Sequence, residues 1–248
     1  MEIHKHPHNV TRKNKLIDYL LQFFMLFLAV YLGFVAENIR GHNIDKEKEK
    51  VYMQNMLDDL KADTAIYNRY EENNKVLFAL IDTLIHVIKS PAIKQRIPEL
   101  AYTARMILPS YKALYTTDRT YEQMKSSGDL RLISNKHVAS DISSYYYSVI
   151  ELKKYNDAAF VWGSDYGEEM GKIFDAELLL KIIKENKEQP AAPADLLTED
   201  RTTLNELATS AQYLYGAFLL AKKIGNERNT AAQKLIELIK KEYNLEDE

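Results

Sequence analysis

Hydrophobic positions along this chain follow three rhythms. From Tyr19 to Ala36, YLLQFFMLFLAVYLGFVA, apolar side chains run on with only Gln22 strongly polar and no formal charge. A core helix of a soluble domain shows a polar face at 3.6-residue spacing, whereas here apolar side chains project all round, so the stretch predicts a helix that meets lipid. At about 1.5 Å per residue it reaches roughly 27 Å, close to the roughly 30 Å of a hydrocarbon core. Within that layer every backbone N–H and C=O must bond inside the segment, which a helix achieves. Residues 16–40 therefore read as a transmembrane anchor, after a short basic tail over 1–15 and before an extramembrane helical domain over 41–248. A signal peptide needs small residues at its cleavage site, and before Ala36 the corresponding position is Phe34, which suits cleavage badly, so the segment is expected to stay attached.

The second rhythm alternates steps of three and four. Asp45 to Lys89 holds no Gly or Pro, and Met53, Leu57, Leu60, Thr64, Tyr67, Phe78, Ile81, Ile85 and Ile88 form a stripe that Glu71 and Asn74 interrupt. This predicts one long helix, leaving the anchor through Gly41 as a kink point, with the DKEKEK run at 45–50 on a solvated face. From Thr203 to Tyr243 the same spacing recurs in Leu204, Leu207, Ala211, Leu214, Phe218, Ala221, Gly225, Ala232, Leu235 and Ile239, with Arg228 the one charged member. Two stripes of near 3.5 period invite an antiparallel, coiled-coil-like pairing, and the small residues among them allow close approach.

The third rhythm is shorter and punctuated. Ser90 to Ile97 is a turn, Pro98 opens a helix and Pro109 interrupts or ends it; a further helix is expected from Ser110 to Ser127, capped by Gly128. Asn135 starts a helix with Val138, Ile142, Tyr145, Val149 and Leu152 on its buried face. Gly163, Gly167 and Gly171 recur every four residues beside Trp162; amid Asp165, Glu168 and Glu169 they suggest close packing of a soluble helix, or a loop. NKEQPAAP, within about 186–200, reads as an exposed loop. With no period-two run, the fold class is all-α: an elongated helical bundle built on two long antiparallel helices behind one transmembrane helix.

Charge and composition narrow the function classes. Lys plus Arg is 33 against 36 for Asp plus Glu, and no basic stripe interleaves with aromatics, which argues against nucleic acid. The absence of cysteine excludes disulfides, thiol catalysis and cysteine-ligated metals. No phosphate-cradling glycine loop, HExxH or GxSxG occurs, so neither a cofactor nor catalytic activity is expected. His4, His6 and His8 in HKHPH fit a solvated tail better than a metal site, and His86 and His137 fit structural or surface roles. Arg12, Lys13 and Lys15 crowd the start of the anchor against Arg40 beyond it, which places the N-terminus in the cytoplasm and the large domain across an inner membrane in the periplasm. Ala29, Gly33 and Ala36 give the span a small-residue face suited to self-association.

One segment is dense in cues: TTDRTYEQMKSSGDLRLISN, residues 116–135. Together with FFMLFLAVYLGFVAENIR at 23–40 and DDLKADT at 58–64, it resembles an uncharacterised family of single-anchor membrane proteins of Bacteroidota-type bacteria. That resemblance implies an anchor and a helical domain and carries no activity. Tyr121 and Lys125 share a helical face, Gly128 permits a sharp reversal and Arg131 follows it, so this corner is the candidate partner- or ligand-binding site. The expected function is a membrane-anchored helical scaffold or interaction protein of the cell envelope. Its expected partners are the lipid bilayer, other membrane or envelope proteins and further copies of itself. The alternative is an extracytoplasmic ligand-sensing module that signals through a partner.

Overall fold

The computed structural model describes residues 12–185 and 195–246, with side chains from Leu16 onward. The HKHPH run and the NKEQPAAP stretch lie outside these residues. Among the described residues every regular element is a helix: α1 Arg12–Lys89, α2 Ile97–Ser110, α3 Arg119–Ser127, α4 Lys136–Ile173, α5 Ala176–Glu185 and α6 Arg201–Tyr243, with 3-10 turns at Ile93–Arg96 and Asp129–Leu132. The all-α class read from the periodicities is the observed one. By its contacts the chain divides into two units, one ending at Val51 and the other starting at Tyr52.

In the first unit the helix runs through Gly41 without interruption, so the expected kink there is absent from the hydrogen-bonded pattern. A glycine costs an exposed helix about 1 kcal/mol relative to alanine, too little to break a run of this length. Its apolar side chains lie open: Phe23 is 67 % exposed, Leu26 67 % and Phe34 71 %. It is the one described helix long and apolar enough to cross a membrane. Ala29, Gly33 and Ala36 are exposed, and nothing lies within 4 Å of the place a Gly33 side chain would fill.

The second unit is a bundle framed by the expected pair of long helices, α1 and α6, with α4 as a third. Helix α6 meets α1 through Asn229–Asn68, Lys222–Glu71 and Tyr215–Phe78. It meets α4 through Glu242–Asn135, Arg228–Ser148, Tyr213–Trp162 and Glu206–Lys172. As numbers rise along one partner they fall along the other, so α6 is antiparallel to both, and α1 and α4 run parallel. The α6 stripe expected from its spacing is buried throughout, Arg228 included. Helix α4 begins where expected, the Asn135 side chain accepting from the backbone N–H groups of His137 and Val138. Of its late glycines only Gly163 is tightly packed: a side chain there would come within 3.3 Å of Leu108.

On α1 the buried seam is Met53, Met56, Leu60, Asp63, Tyr67, Tyr70, Asn74, Leu77, Ile81, Leu84 and Val87, alternating steps of three and four almost throughout. Asn74 therefore belongs to the seam instead of interrupting it. Beyond it the fully buried residues are Leu77, Ile81, Leu84 and Val87, with Phe78, Ile85 and Ile88 half-buried on the flank. Apolar clusters occupy both ends of the bundle, one around Met56, Ile142 and Leu235 and one around Leu84, Tyr166 and Leu207. Between them lies a layer of Tyr67, Tyr70, Leu114, Leu152 and Ala221.

That middle layer corrects one expectation. Residues 111–118 are not helical; α3 starts only at Arg119. The segment is an irregular strap whose backbone, with the first turn of α3, is bound by side chains of the long helices. The Asn74 amide donates to Lys112 O at 3.1 Å and accepts from Lys112 N at 3.0 Å. Asp63 accepts from Thr117 N at 2.6 Å, Asp59 from Thr120 N at 2.9 Å, and Asn156 donates to Leu114 O at 2.9 Å. Buried backbone groups must be paired, and here side-chain carboxylates and amides replace the helical ladder. The strap also explains Gly225: a Cβ there would stand 2.8 Å from the Leu114 side chain.

Candidate functional site

The middle layer continues outward to the surface through four tyrosines. At its centre Asp63 Oδ2 accepts from the Tyr145 hydroxyl at 2.6 Å, and the Tyr67 and Tyr145 hydroxyls are 3.2 Å apart. Arg228 donates to Tyr145 O at 3.1 Å and to Ser148 Oγ at 2.5 Å, with its guanidinium 5.5 Å from the Tyr145 ring centre. Tyr146 packs edge-on against Tyr145 at 5.0 Å, and Tyr121 stacks on Tyr146 at 4.5 Å with rings only 9° apart. A continuous line of contacts thus joins α1, α4 and α6 to the α3 surface.

Burial sets the electrostatics of this line. It pushes the Asp63 carboxyl above the usual carboxylate range, and the hydrogen bonds from Tyr145 and Thr117 offset only part of that. It pushes the Tyr67 phenol up to about 12 and the Tyr145 phenol further still, so both remain hydroxyl donors at neutral pH. The hydrogen bonds of this layer tie α1, α4 and α6 together, and neither phenol is shifted toward the ionised form.

Of the corner residues singled out in the sequence, Tyr121 and Lys125 come together on one groove of about 500 Å³, with Asp118, Tyr147, Ile150 and Lys153 among its walls. Its charges are largely neutralised in place: Lys153 is 3.0 Å from Asp118 and Lys125 is 3.3 Å from Glu122. Gly128 and Arg131 are not part of its lining. Gly128 closes α3 in the left-handed conformation, φ 74°, its N–H directed to Lys125 O, and Arg131 is exposed beyond the turn. The residue between them matters more to the fold: Asp129 is buried and accepts from Tyr52 at 2.7 Å and Ser127 at 2.6 Å.

Sequence reasoning took Asn74 only as an interruption of the stripe and gave Asp59, Asp63 and Asp129 no role of their own. A signal was present for three of them: acids and an amide at the three-four spacing of an otherwise apolar seam demand buried partners. Asp129 carried no such mark. Scans against protein-family models, curated proteins and solved structures each returned no match.

Proposed function

We propose that the chain is a membrane-anchored helical scaffold of the bacterial cell envelope, whose bundle docks other membrane or envelope proteins. The observation that carries this reading is the apolar surface of residues 16–36, whose side chains are exposed on nearly every side among the described residues. Exposed apolar area on this scale is unfavourable in water by roughly 25 cal/mol per Å², so a bilayer is its natural solvent. The groove under Tyr147, 71 % exposed, and Ile150, 51 % exposed, supplies an apolar contact surface. The resemblance of the TYEQMKSSGDLRLI stretch to single-anchor membrane proteins supports the anchor and the helical domain and carries no activity.

In this reading the anchor sits in the inner membrane, the basic tail is cytoplasmic and the bundle periplasmic, and pairing of spans along Ala29, Gly33 and Ala36 gives a homo-oligomer. The full-length protein should remain with membranes in alkaline carbonate; its release would overturn the anchor. Because the chain holds no native cysteine, a single cysteine at exposed Ser126 should react with a membrane-impermeant maleimide in spheroplasts, and protection would reverse the topology. Cross-linking of the wild type, compared with Tyr147→Asp and Ile150→Asp, tests docking: partners retained by both variants would remove the groove from the proposal.

A further inference from the structure

A second groove, of about 590 Å³, lies between the strap and the middle of α4. Its walls include Leu108, Tyr111, Tyr115 and Phe160, with Asn156 and Asp157 as polar members. Phe160 is 80 % exposed, the most exposed large apolar side chain among the described residues, and Tyr115 across the groove is 70 % exposed. Two rings held open on one concavity present apolar area that the fold gains nothing by exposing.

The polar chemistry of this groove has one sign. No lysine or arginine lines it, whereas the groove at Tyr121 carries Lys125 and Lys153 and the one near Pro91 carries Lys89, Lys94 and Arg201. The Asn156 side chain is engaged at both ends, accepting from the Tyr111 hydroxyl at 3.2 Å and donating to Leu114 O at 2.9 Å. Tyr111 has one face stacked on Phe218 at 4.6 Å, which fixes its ring. Asp157 is exposed and makes no ion pair among the described residues; the neighbouring Lys153 is directed to Asp118 instead. Aromatic faces and an uncompensated carboxylate together attract a cation with an apolar body, which is the chemistry of methylated-ammonium recognition.

We propose that this groove binds a small organic cation, a methylated ammonium group seated against Tyr115 and Phe160 and balanced by Asp157. The proposal is independent of the docking groove at Tyr121, so each can fail without the other, and an occupied site here would favour a ligand-sensing role. The test uses the full-length protein in a nonionic detergent, with choline as the probe and its uncharged isostere 3,3-dimethyl-1-butanol as the comparison, read by saturation-transfer NMR of the methyl protons across a titration. Saturable choline binding, with the isostere about tenfold weaker, supports the proposal. Phe160→Ala and Asp157→Asn should each weaken choline by about threefold to tenfold. Both positions are exposed, and circular dichroism melts matching wild type keep the comparison clean. Absence of saturable choline binding, equal binding of the isostere, or binding unchanged in both variants would overturn it.

Discussion

The two stretches of α1, residues 16–36 and 52–87, use the same residue types to opposite ends. Phe, Leu and Tyr of the first face outward on every side, while Met, Leu and Tyr of the second form one buried seam with charged and amide groups between them. Helix propensity is similar in both, so it does not decide where an apolar side chain goes. The spacing of the polar residues does. A helix with no polar face takes lipid as its partner, and a helix with a three-four seam takes other helices.

The contrast breaks most visibly if the same truncation is made in both stretches. Leu77→Ala, at a fully buried position, should cost about 3 kcal/mol and lower the bundle Tm by several degrees. Leu26→Ala, 67 % exposed, should leave that melt within about 0.5 kcal/mol. Equal drops would show that the anchor packs on protein.

Next in size is Asn74→Leu, which makes the seam more apolar and yet should destabilise by about 2 kcal/mol. The backbone N–H and C=O of Lys112 would lose their partners. Thermal melts beside amide exchange at Lys112 check this, and a gain in stability would mean that apolar spacing outweighs the strap.

Glycines give a smaller contrast of opposite sign. Gly225→Ala, pressed against Leu114, should cost about 1 kcal/mol, while Gly167→Ala, with nothing near it, should gain up to about 1 kcal/mol. Chemical denaturation of both variants distinguishes the two.

The smallest effect is in pH. Asp63 has a folded-state pKa raised above 3.8, so the folded bundle holds that proton more tightly than the unfolded chain does. As pH falls from neutrality through the raised value, this group contributes increasing stability, which levels off below 3.8. The difference in Tm between wild type and Asp63→Asn should therefore shift toward wild type as pH falls from 7. A constant difference would place Asp63 in a more polar setting than its burial indicates.

Much of this frame was legible in the spacing of side chains. The whole α6 stripe, the Asn135 cap, the Gly128 turn and the uncharged helix follow from local rules that tertiary context did not override. What escaped was the strap. Residues 111–118 contain nothing that forbids helix after Pro109; they are not helical because Asn74 and Asp63, 38 and 54 positions away in sequence, hold their backbone, while Asp59 holds the first turn of α3. A reading by neighbours treats Asn74 as an interruption, whereas its partner lies far along the chain. The groove at Tyr121 and Lys125 was half visible, because a shared helical face is local and the stack on Tyr146 is not.

Helix α6 is the common antiparallel neighbour of α1 and α4, and it is translated after both. A ribosome releasing the chain in order therefore exposes the seams of α1 and α4 before their cover exists, with the anchor segment long since synthesised. Until residues 201–243 emerge, Leu77, Leu84 and Tyr166 have no lasting shelter on that side, and the nascent bundle is a natural client for holding chaperones. Ribosome stalling before and after α6 should then mark the boundary between a protease-sensitive intermediate and a protected bundle.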